Sequence, residues 1–464
     1  MVHCWNSNRN NLLWSIHMIE LDLPAPFQPT TKDVVDFFKN CGLVGEADNA
    51  ILLSLASTSK KAVGVESTSG AGKTVLLDIC EMLLPAESIY KLGLTSNTAT
   101  MYDFQKVNES SIIIIEELQK AMGNSNPIVV ELLKSVTEGK DISRKVYDAV
   151  TKKNTDYKIN GNKGVLYSLA LENKYKKDDE LDRRVLNLMT DISQTQNRKV
   201  LAYIGKTRFN KKRLKIQEEE TSKKLREHIQ TVLRISETNI ENPFAEFITE
   251  QVPVPFVKVR SYIKHYLDLM DASTRFYFKD RMMIDGGYFS TMQDIYTIHL
   301  LYGKTFNRKV HNLPQIGMDI MKIFDSDVKG WKKDEERAQQ TLFQDEDGRD
   351  KIYFTTTKIH GFLKKKGILL KHNTVQQQCD ELVEAGFLGK EVLGKKILYH
   401  KTDDIEEFEE KFDFQECMRE GYDNMKKFYP DIADAWYQSQ LDEEGRLKLY
   451  HPISNEVIIT EVIE

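Results

Sequence analysis

An apolar stretch at residues 62–65 runs directly into a loop of small residues, and this junction constrains the fold more than any other feature of the chain. The loop consists of Ser67, Thr68, Ser69, Gly70, Ala71, Gly72, Lys73 and Thr74. A turn of this kind between a strand and a helix leaves backbone N–H groups free to surround phosphates, and the helix dipole adds a positive end. The lysine of such a loop reaches the β- and γ-phosphates, and the threonine hydroxyl ligates Mg²⁺. The junction therefore predicts a site for ATP and Mg²⁺.

A second pattern, farther along the chain, supplies the acids that such a site needs. Four consecutive isoleucines at positions 112–115 predict a buried strand, and Glu116 and Glu117 follow it. We expect Glu116 to hold the metal through water and Glu117 to polarise the attacking water. Two positions depart from the usual motifs, because Ser67 stands where a glycine is usual and Glu116 where an aspartate is usual. A loop of this type alone also occurs in ordinary strand–turn–helix units, but the paired acids favour a nucleotide site.

Composition limits the class of protein. At 464 residues the chain is too long for one core, so we expect two or three domains. The net charge of −5 does not decide for or against nucleic acid, and no apolar run approaches the ~20 residues that span a bilayer. Five cysteines lie scattered without a C-x-x-C pair, which excludes a zinc ribbon and a disulfide framework. These features predict a protein of the cytoplasm, the nucleoid or a host cytoplasm.

The order of patterns along the chain predicts an α/β protein with a P-loop NTPase core, in which helices flank a parallel sheet. We expect six segments: N-terminal helices (1–58), the ATPase core (59–194) with an inserted hairpin (138–163), a helical lid or bridge (195–324), a linker (325–351), a winged helix (352–401) and an acidic, aromatic tail (402–464). The basic run that begins the lid is either a solvated helix face or a nucleic-acid surface. The aromatic residues of the tail predict a partner surface.

The inserted hairpin has a basic tip. Residues 146–150 and 156–159 alternate as strands do, around Lys152, Lys153 and Asn154. The two lysines either contact nucleic-acid phosphates or are ordinary solvated residues of a surface hairpin.

Polar residues after the next core strand, residues 164–169, are candidates for the remaining catalytic roles. Ser168 and Asn173 could position the attacking water, and the preference for an asparagine near the strand end favours Asn173.

Arg183 and Arg184 precede the last apolar strand. An arginine there typically reaches the γ-phosphate bound by a neighbouring subunit, where it stabilises transition-state charge, and we favour Arg184. The alternative is a structural Asp–Arg pair at a helix end.

Residues 355–399 have the pattern of a winged helix. Gln376 and Gln377 lie near the start of its second helix, where a recognition helix meets base edges or phosphates. Lys395 and Lys396 occupy the turn of the predicted wing and are candidates for contacts with duplex DNA. Winged helices bind either DNA or protein, and the sequence does not decide between the two.

These motifs together resemble the ATPase module of primase–helicase proteins from phages, viruses and mobile elements, which are AAA+ ATPases close to MCM and superfamily-three helicases. The resemblance covers residues 62–306 and is carried by four stretches: 67–74, 112–117, 132–140 and 179–188. It implies a hexameric ring that moves on single- or double-stranded DNA, with the hairpin tip in the channel and Arg184 acting on a neighbour. MCM helicases also end in a winged helix.

The leading hypothesis is thus an ATP-driven DNA helicase or translocase used in replicating a mobile element, a virus or an archaeal-type genome. A second hypothesis is an ATP-gated DNA-binding initiator or regulator that does not unwind. A third is an NTPase scaffold whose tail recruits a replication protein. The expected partners are DNA and further copies of the chain, and no membrane is expected.

Overall fold

A computed structural model gives the structure of the protein. It describes residues 28–92, 103–122, 127–148, 153–170, 179–209, 220–253, 257–311, 315–326, 343–344, 350–351, 353–384, 386–393, 396–402 and 412–460. Within this part of the chain, no helix is both long enough and apolar enough to cross a bilayer.

A five-stranded parallel sheet forms the centre of the molecule, as the alternating strand and helix patterns predict. Its strands are β1 (Ala62–Ser67), β2 (Ile89–Lys91), β3 (Ile112–Ile115), β6 (Gly164–Ala170) and β7 (Leu186–Met189). The order across the sheet is β2-β3-β6-β1-β7. All five strands run the same way, so the carboxyl ends of β1, β6 and β3 lie side by side along one edge. Ligands of open α/β sheets bind at this edge.

Helices cover both faces of the sheet. Before and within the core they are α1 (Thr31–Asn40), α2 (Ala47–Thr58), α3 (Lys73–Leu83), α4 (Phe104–Glu109), α5 (Leu118–Met122), α6 (Pro127–Thr137) and α7 (Asp179–Arg184). The largely buried helix α2 packs with α3 on one face. The other face is closed by apolar residues that include Leu132, Leu133 and Leu181, from α6 and α7. Burial on both faces explains why β3 is a continuous run of isoleucines rather than an alternating strand.

The helical region after the sheet is larger than a simple lid. Its elements are α8 (Gln194–Phe209), α9 (Glu220–Arg234), β8 (Asn239–Glu241), α10 (Ala245–Gln251), α11 (Val259–Phe276), β9 (Met283–Ile284), β10 (Gly287–Phe289) and α12 (Met292–Val310). Helices α9 to α12 share one apolar core with α1, α2 and α3. Thr291 and Asp294 form a capping box at the start of α12. The Asp294 carboxylate also accepts two hydrogen bonds from the buried Arg281 guanidinium.

The hairpin predicted between β3 and β6 is present. It pairs β4 (Ile142–Asp148) with β5 (Lys153–Ile159) in antiparallel register, and Asp148 lies opposite Lys153. Residues 149–152 therefore connect the strands, and Lys153 and Asn154, which the sequence places at the tip, belong to the start of β5. Lys152 lies outside the described residues.

A separate apolar cluster holds the unit that the sequence predicts as a winged helix. The elements are α13 (Gln315–Ser326), β11 (Phe343–Gln344), β12 (Asp350–Lys351), β13 (Tyr353–Thr355), α14 (Thr356–Lys365), α15 (His372–Glu384), β14 (Leu388–Leu393) and β15 (Lys396–Lys401). Strands β13, β15 and β14 form one antiparallel sheet, and α13, α14 and α15 pack on it around Phe354 and Tyr399. In chain order, the helices α14 and α15 precede the hairpin formed by β14 and β15.

The last part of the chain packs onto the helical region that follows the sheet, and this packing uses part of the aromatic surface that the sequence predicts for a partner. It contains α16 (Phe414–Phe428), α17 (Pro430–Gln438), β16 (Leu447–Tyr450) and β17 (Val457–Thr460). Trp436 is fully buried, and its indole Nε1 donates a hydrogen bond to the Ser290 carbonyl at 3.1 Å. Phe412 and Phe414 contact the ring of His299 on α12. These side chains are therefore used inside the chain, because their partner surface lies on distant helices.

Candidate nucleotide-binding site

The loop between β1 and α3 is built for close approach of a ligand to its backbone. Gly70 and Gly72 have φ angles of 78° and 84°, a left-handed conformation that favours glycine, and none of the described residues beyond their chain neighbours lies within 4 Å of where their side chains would begin. Helix α3 begins directly after Gly72, so its free N–H groups and its dipole face the loop. Ser67 is buried as the last residue of β1, and its small side chain replaces the usual glycine without altering the strand–loop–helix path.

Lys73 folds its side chain back into the loop. Its ammonium Nζ donates hydrogen bonds to the carbonyl oxygens of Ser67, at 3.1 Å, and Thr68, at 2.6 Å. The side chain is buried, so the protein holds a cation beneath a ring of backbone groups. Neutral carbonyl oxygens are weaker partners for an ammonium than phosphate oxygens are, so a triphosphate can take over the lysine's hydrogen bonds.

The two acids occupy the carboxyl end of β3, which β6 separates from β1 in the sheet. Glu116 is exposed. Glu117 is partly exposed, and its carboxylate accepts a hydrogen bond from Lys120 Nζ at 2.7 Å, in an ion pair. The Glu117 backbone carbonyl also accepts from the first turn of α5, so the residue is fixed at a helix start. The sequence motifs do not include Lys120. Its spacing of three residues from Glu117 could have indicated the ion pair, because side chains at this spacing meet on one side of a helix.

A third carboxylate, which the sequence motifs do not single out, is close enough to Glu116 for the two charges to interact. Partial burial and the charge of Glu116 raise the pKa of Asp78, on the outer face of α3. Glu81, one turn farther along α3, forms an ion pair with Lys91 at 2.7 Å. The edge of the site next to β2 is therefore acidic, and one lysine offsets part of its charge.

The residues present suit Mg²⁺ through oxygen donors. Thr74 lies on the exposed side of the first turn of α3, and Glu116 presents a carboxylate from the end of β3. Mg²⁺ is commonly held by one or two protein oxygens together with substrate phosphates. Among the described residues, no group of three or more His, Cys, Asp or Glu side chains is arranged to hold a metal ion.

The two candidates for positioning the attacking water have different positions. Ser168 is buried in β6, and its hydroxyl donates a hydrogen bond to the backbone carbonyl of Glu116. This hydrogen bond holds the end of β3 against β6. The hydroxyl proton of Ser168 is therefore used within the sheet and does not orient the attacking water. Asn173 lies outside the described residues.

Arg184 is held by its own chain. Its guanidinium donates to the Lys134 carbonyl at 2.8 Å and forms ion pairs with Glu138, at 2.6 Å, and with Glu180. Lys134 Nζ also pairs with Glu180 at 2.6 Å. The arginine therefore ties α7 to the end of α6 and to the turn that precedes the hairpin. The sequence could not indicate Glu138 as a partner, because it lies 46 positions earlier in the chain.

The residues predicted to contact DNA lie in two separate regions. Gln377 is exposed on α15, and its amide donates to the Glu381 carboxylate at 2.9 Å. Gln376 is half-buried in the same turn. Lys396 is exposed at the start of β15, whereas Lys395, like Lys152, lies outside the described residues. The sequence at residues 353–402 contains nine lysines against four acidic residues, although the whole chain is acidic.

Comparisons with known proteins add limited information. Neither a protein-family model nor a curated protein sequence matches the chain. One similar solved structure is the crystal structure of a "putative ATPase" from Cytophaga hutchinsonii, 13% identical, with a TM-score of 0.37 over 58% of this chain and 84% of that one. Another, described as "SCCmec type IV Cch - active helicase", is 13% identical, with a TM-score of 0.30 over 80% of this chain and 70% of that one. Likenesses this weak assign no function, so the site must be judged from its own residues.

Proposed function

We propose that the chain is an ATP-dependent DNA helicase or translocase that works as a ring-shaped oligomer in replicating a mobile element, a virus or an archaeal-type genome. One observation carries this proposal. The phosphate-type loop with Lys73 and Thr74, and the acids Glu116 and Glu117, lie at the carboxyl ends of strands in one parallel sheet.

The roles of these residues follow from their chemistry. Backbone N–H groups of the loop and the ammonium of Lys73 would bind the triphosphate. Thr74 and Glu116 would hold Mg²⁺, whose charge would offset that of the phosphates. Glu117, the second acid, orients and polarises the water that attacks the γ-phosphate. Arg184 of a neighbouring copy stabilises the transition state after it leaves its intrachain carboxylates.

The basic hairpin supports a nucleic-acid substrate. In the chain, β4 and β5 lie between β3 and β6. A movement of Glu116 and Glu117 at the end of β3 can therefore be passed to the turn of the hairpin. We therefore assign Lys152 and Lys153 to phosphate contacts inside a channel. The logarithm of the DNA-association constant falls linearly with the logarithm of the salt concentration. Removing one such lysine should reduce the steepness of that line by about 0.7 to 0.9.

The test is a strand-displacement assay on the double variant Lys152→Ala/Lys153→Ala. We expect ATP turnover without DNA to persist, whereas DNA-stimulated turnover and strand displacement disappear. The matched control is Lys140→Ala/Lys158→Ala, which removes two lysines from the base of the same hairpin. A hairpin-turn variant that unwinds as fast as the wild type would contradict the helicase assignment.

A second function is favoured by the lysine-rich unit at residues 353–402. In this alternative the unit selects a DNA site and ATP gates its binding, without unwinding. Gln376, Gln377, Lys395 and Lys396 would then carry sequence-dependent contacts. A sequence-selective footprint, together with no strand displacement by the wild type, would support this regulator over the helicase.

A further inference from the structure

Helix α8 exposes an apolar surface that no other part of the described chain covers. Leu201 is 67% exposed and Ile204 is 48% exposed, which is unusual for large aliphatic side chains in the middle of a helix. The opposite side of α8 is attached through Gln196, whose side-chain amide donates to the Val44 carbonyl.

Basic residues stand at both ends of this apolar surface. Arg198 and Arg208 are exposed, and the spacing of residues 198, 201, 204 and 208 places all four along one side of the helix. We name these four residues the α8 stripe. Its length from Arg198 to Arg208 is about 15 Å, at a rise of about 1.5 Å per residue.

Helix α3 carries a stripe of the opposite charge. Val75 is 46% exposed and Met82 is 41% exposed, and the exposed Asp78 lies between them on the same side of the helix. We name Val75, Asp78 and Met82 the α3 stripe. Glu81 flanks it with a second carboxylate, which Lys91 pairs with at 2.7 Å. The stripe extends over about 10 Å, which accommodates the two aliphatic residues of the α8 stripe.

We propose that the α8 stripe of one copy of this chain docks on the α3 stripe of a second copy. Leu201 and Ile204 then cover Val75 and Met82, and an arginine of the α8 stripe lies beside Asp78. Nucleic acid fits the α8 stripe less well, because phosphates pair with the arginines but leave the aliphatic residues in water.

The contact has two consequences that deepen the proposed function, on which it rests. Two different surfaces meet, so the contact is heterologous and generates a ring or a filament rather than a closed pair. Asp78 and Glu116 are close enough for their charges to interact, so an arginine of the neighbour beside Asp78 adds positive charge near the nucleotide site. Assembly and nucleotide occupancy are therefore expected to be coupled.

The test uses two variants, each of which damages one stripe. Met82→Arg places a cation opposite the arginines of α8, and Leu201→Asp places an anion opposite Asp78 and Glu81. Sedimentation velocity with Mg²⁺ and ATP should show wild-type oligomers, whereas each variant alone remains a monomer. We expect association to weaken roughly 100-fold, because an unpaired charge would be buried.

An equal mixture of the two variants gives the decisive result. Each mixed pair retains one intact α8 stripe and one intact α3 stripe, so the mixture should form dimers, whereas each variant alone should not. The matched controls Met283→Arg and Leu369→Asp alter similarly exposed residues elsewhere and should assemble as the wild type does.

Several outcomes overturn this inference. They are a monomeric wild type, normal assembly of either variant, and a mixture without dimers. Leu201→Asp that loses affinity for DNA but still assembles would make α8 a nucleic-acid surface instead. ATP turnover is measured on the same wild-type sample, so failure of the nucleotide site is distinguished from failure of the interface.

Discussion

At the scale of single residues, the arrangement around Glu117 gives its carboxylate a cationic partner within the chain. The carboxylate that we assign to water activation is engaged by Lys120, three residues later. An exposed pair of this kind contributes at most about 1 kcal/mol. It can therefore bias the carboxylate's orientation without preventing catalysis.

Removing this pair gives the first residue-scale prediction. Lys120→Ala should raise ATP turnover in the absence of DNA by about two- to fivefold, with KM unchanged, because Glu117 becomes free to face the water. Steady-state kinetics measure both values. Lys32→Ala, which removes another exposed helical ion pair, on α1, should change neither. A fall in turnover would show that Lys120 supports Glu117 rather than restraining it.

A buried histidine gives the second residue-scale prediction. Burial lowers the pKa of His228 from 6.5 to about 4, and its Nε2 contacts the Phe276 carbonyl at 2.7 Å. Because the folded pKa lies below the unfolded one, the unfolded chain binds more protons between these values. The contribution to stability is therefore lost as the pH falls through 6.5 toward 4, by about 2 kcal/mol at pH 5.

The measurement is urea unfolding of wild type and His228→Gln at pH 7 and pH 5. The variant should lose about 2 kcal/mol less stability over this interval than the wild type. The exposed His372→Gln is the control and should follow the wild type. Asp271, whose pKa burial raises to about 6, acts in the opposite direction and is common to all three proteins. Equal pH dependence in His228→Gln and wild type would contradict the assignment.

At the scale of secondary-structure elements, Arg184 joins α6, α7 and the segment leading to the hairpin. Its contacts with Glu138 and Glu180 hold these parts together within one chain. The arginine must leave these carboxylates to act on a neighbour's phosphate. Its release is thus linked to the segment that carries the hairpin.

Arg184→Ala tests the action on a neighbour. ATP binding should persist, whereas turnover should fall by about 10³-fold, because the arginine acts on the transition state. Mixing this variant with Lys73→Ala should restore part of the activity, since each chain supplies the half-site that the other lacks. Oligomers that form without any recovery of activity would assign Arg184 a role within its own chain.

The local elements of the core could be predicted from the sequence, and their distant partners could not. The strand–loop–helix at residues 62–83 and the strand before Glu116 depend on neighbouring residues, so their patterns identify them. The burial of Trp436 against Ser290 and the pairing of Arg184 with Glu138 depend on contacts between distant segments. Periodicity carries no information about such contacts, so it does not indicate that Trp436, Phe412 and Phe414 pack within the chain.

At the scale of the whole molecule, one apolar core joins the nucleotide-binding helix α3 to α1, α2 and the helices that follow the sheet. The last segment of the chain, through Trp436, packs into the same core. A change at the loop is therefore transmitted to a large packed body rather than to a single mobile lid. The proposed activity depends first on whether that loop binds a triphosphate.

Titration calorimetry with Mg²⁺ and ATP on wild type and Lys73→Ala tests that claim most directly. We predict one site per chain in the wild type and roughly 100-fold weaker binding in the variant, because charge-assisted hydrogen bonds to phosphate are removed. Lys106→Ala, which changes an exposed lysine of α4, should bind as the wild type does. Equal affinity in wild type and Lys73→Ala would contradict the assignment of the loop as a triphosphate site.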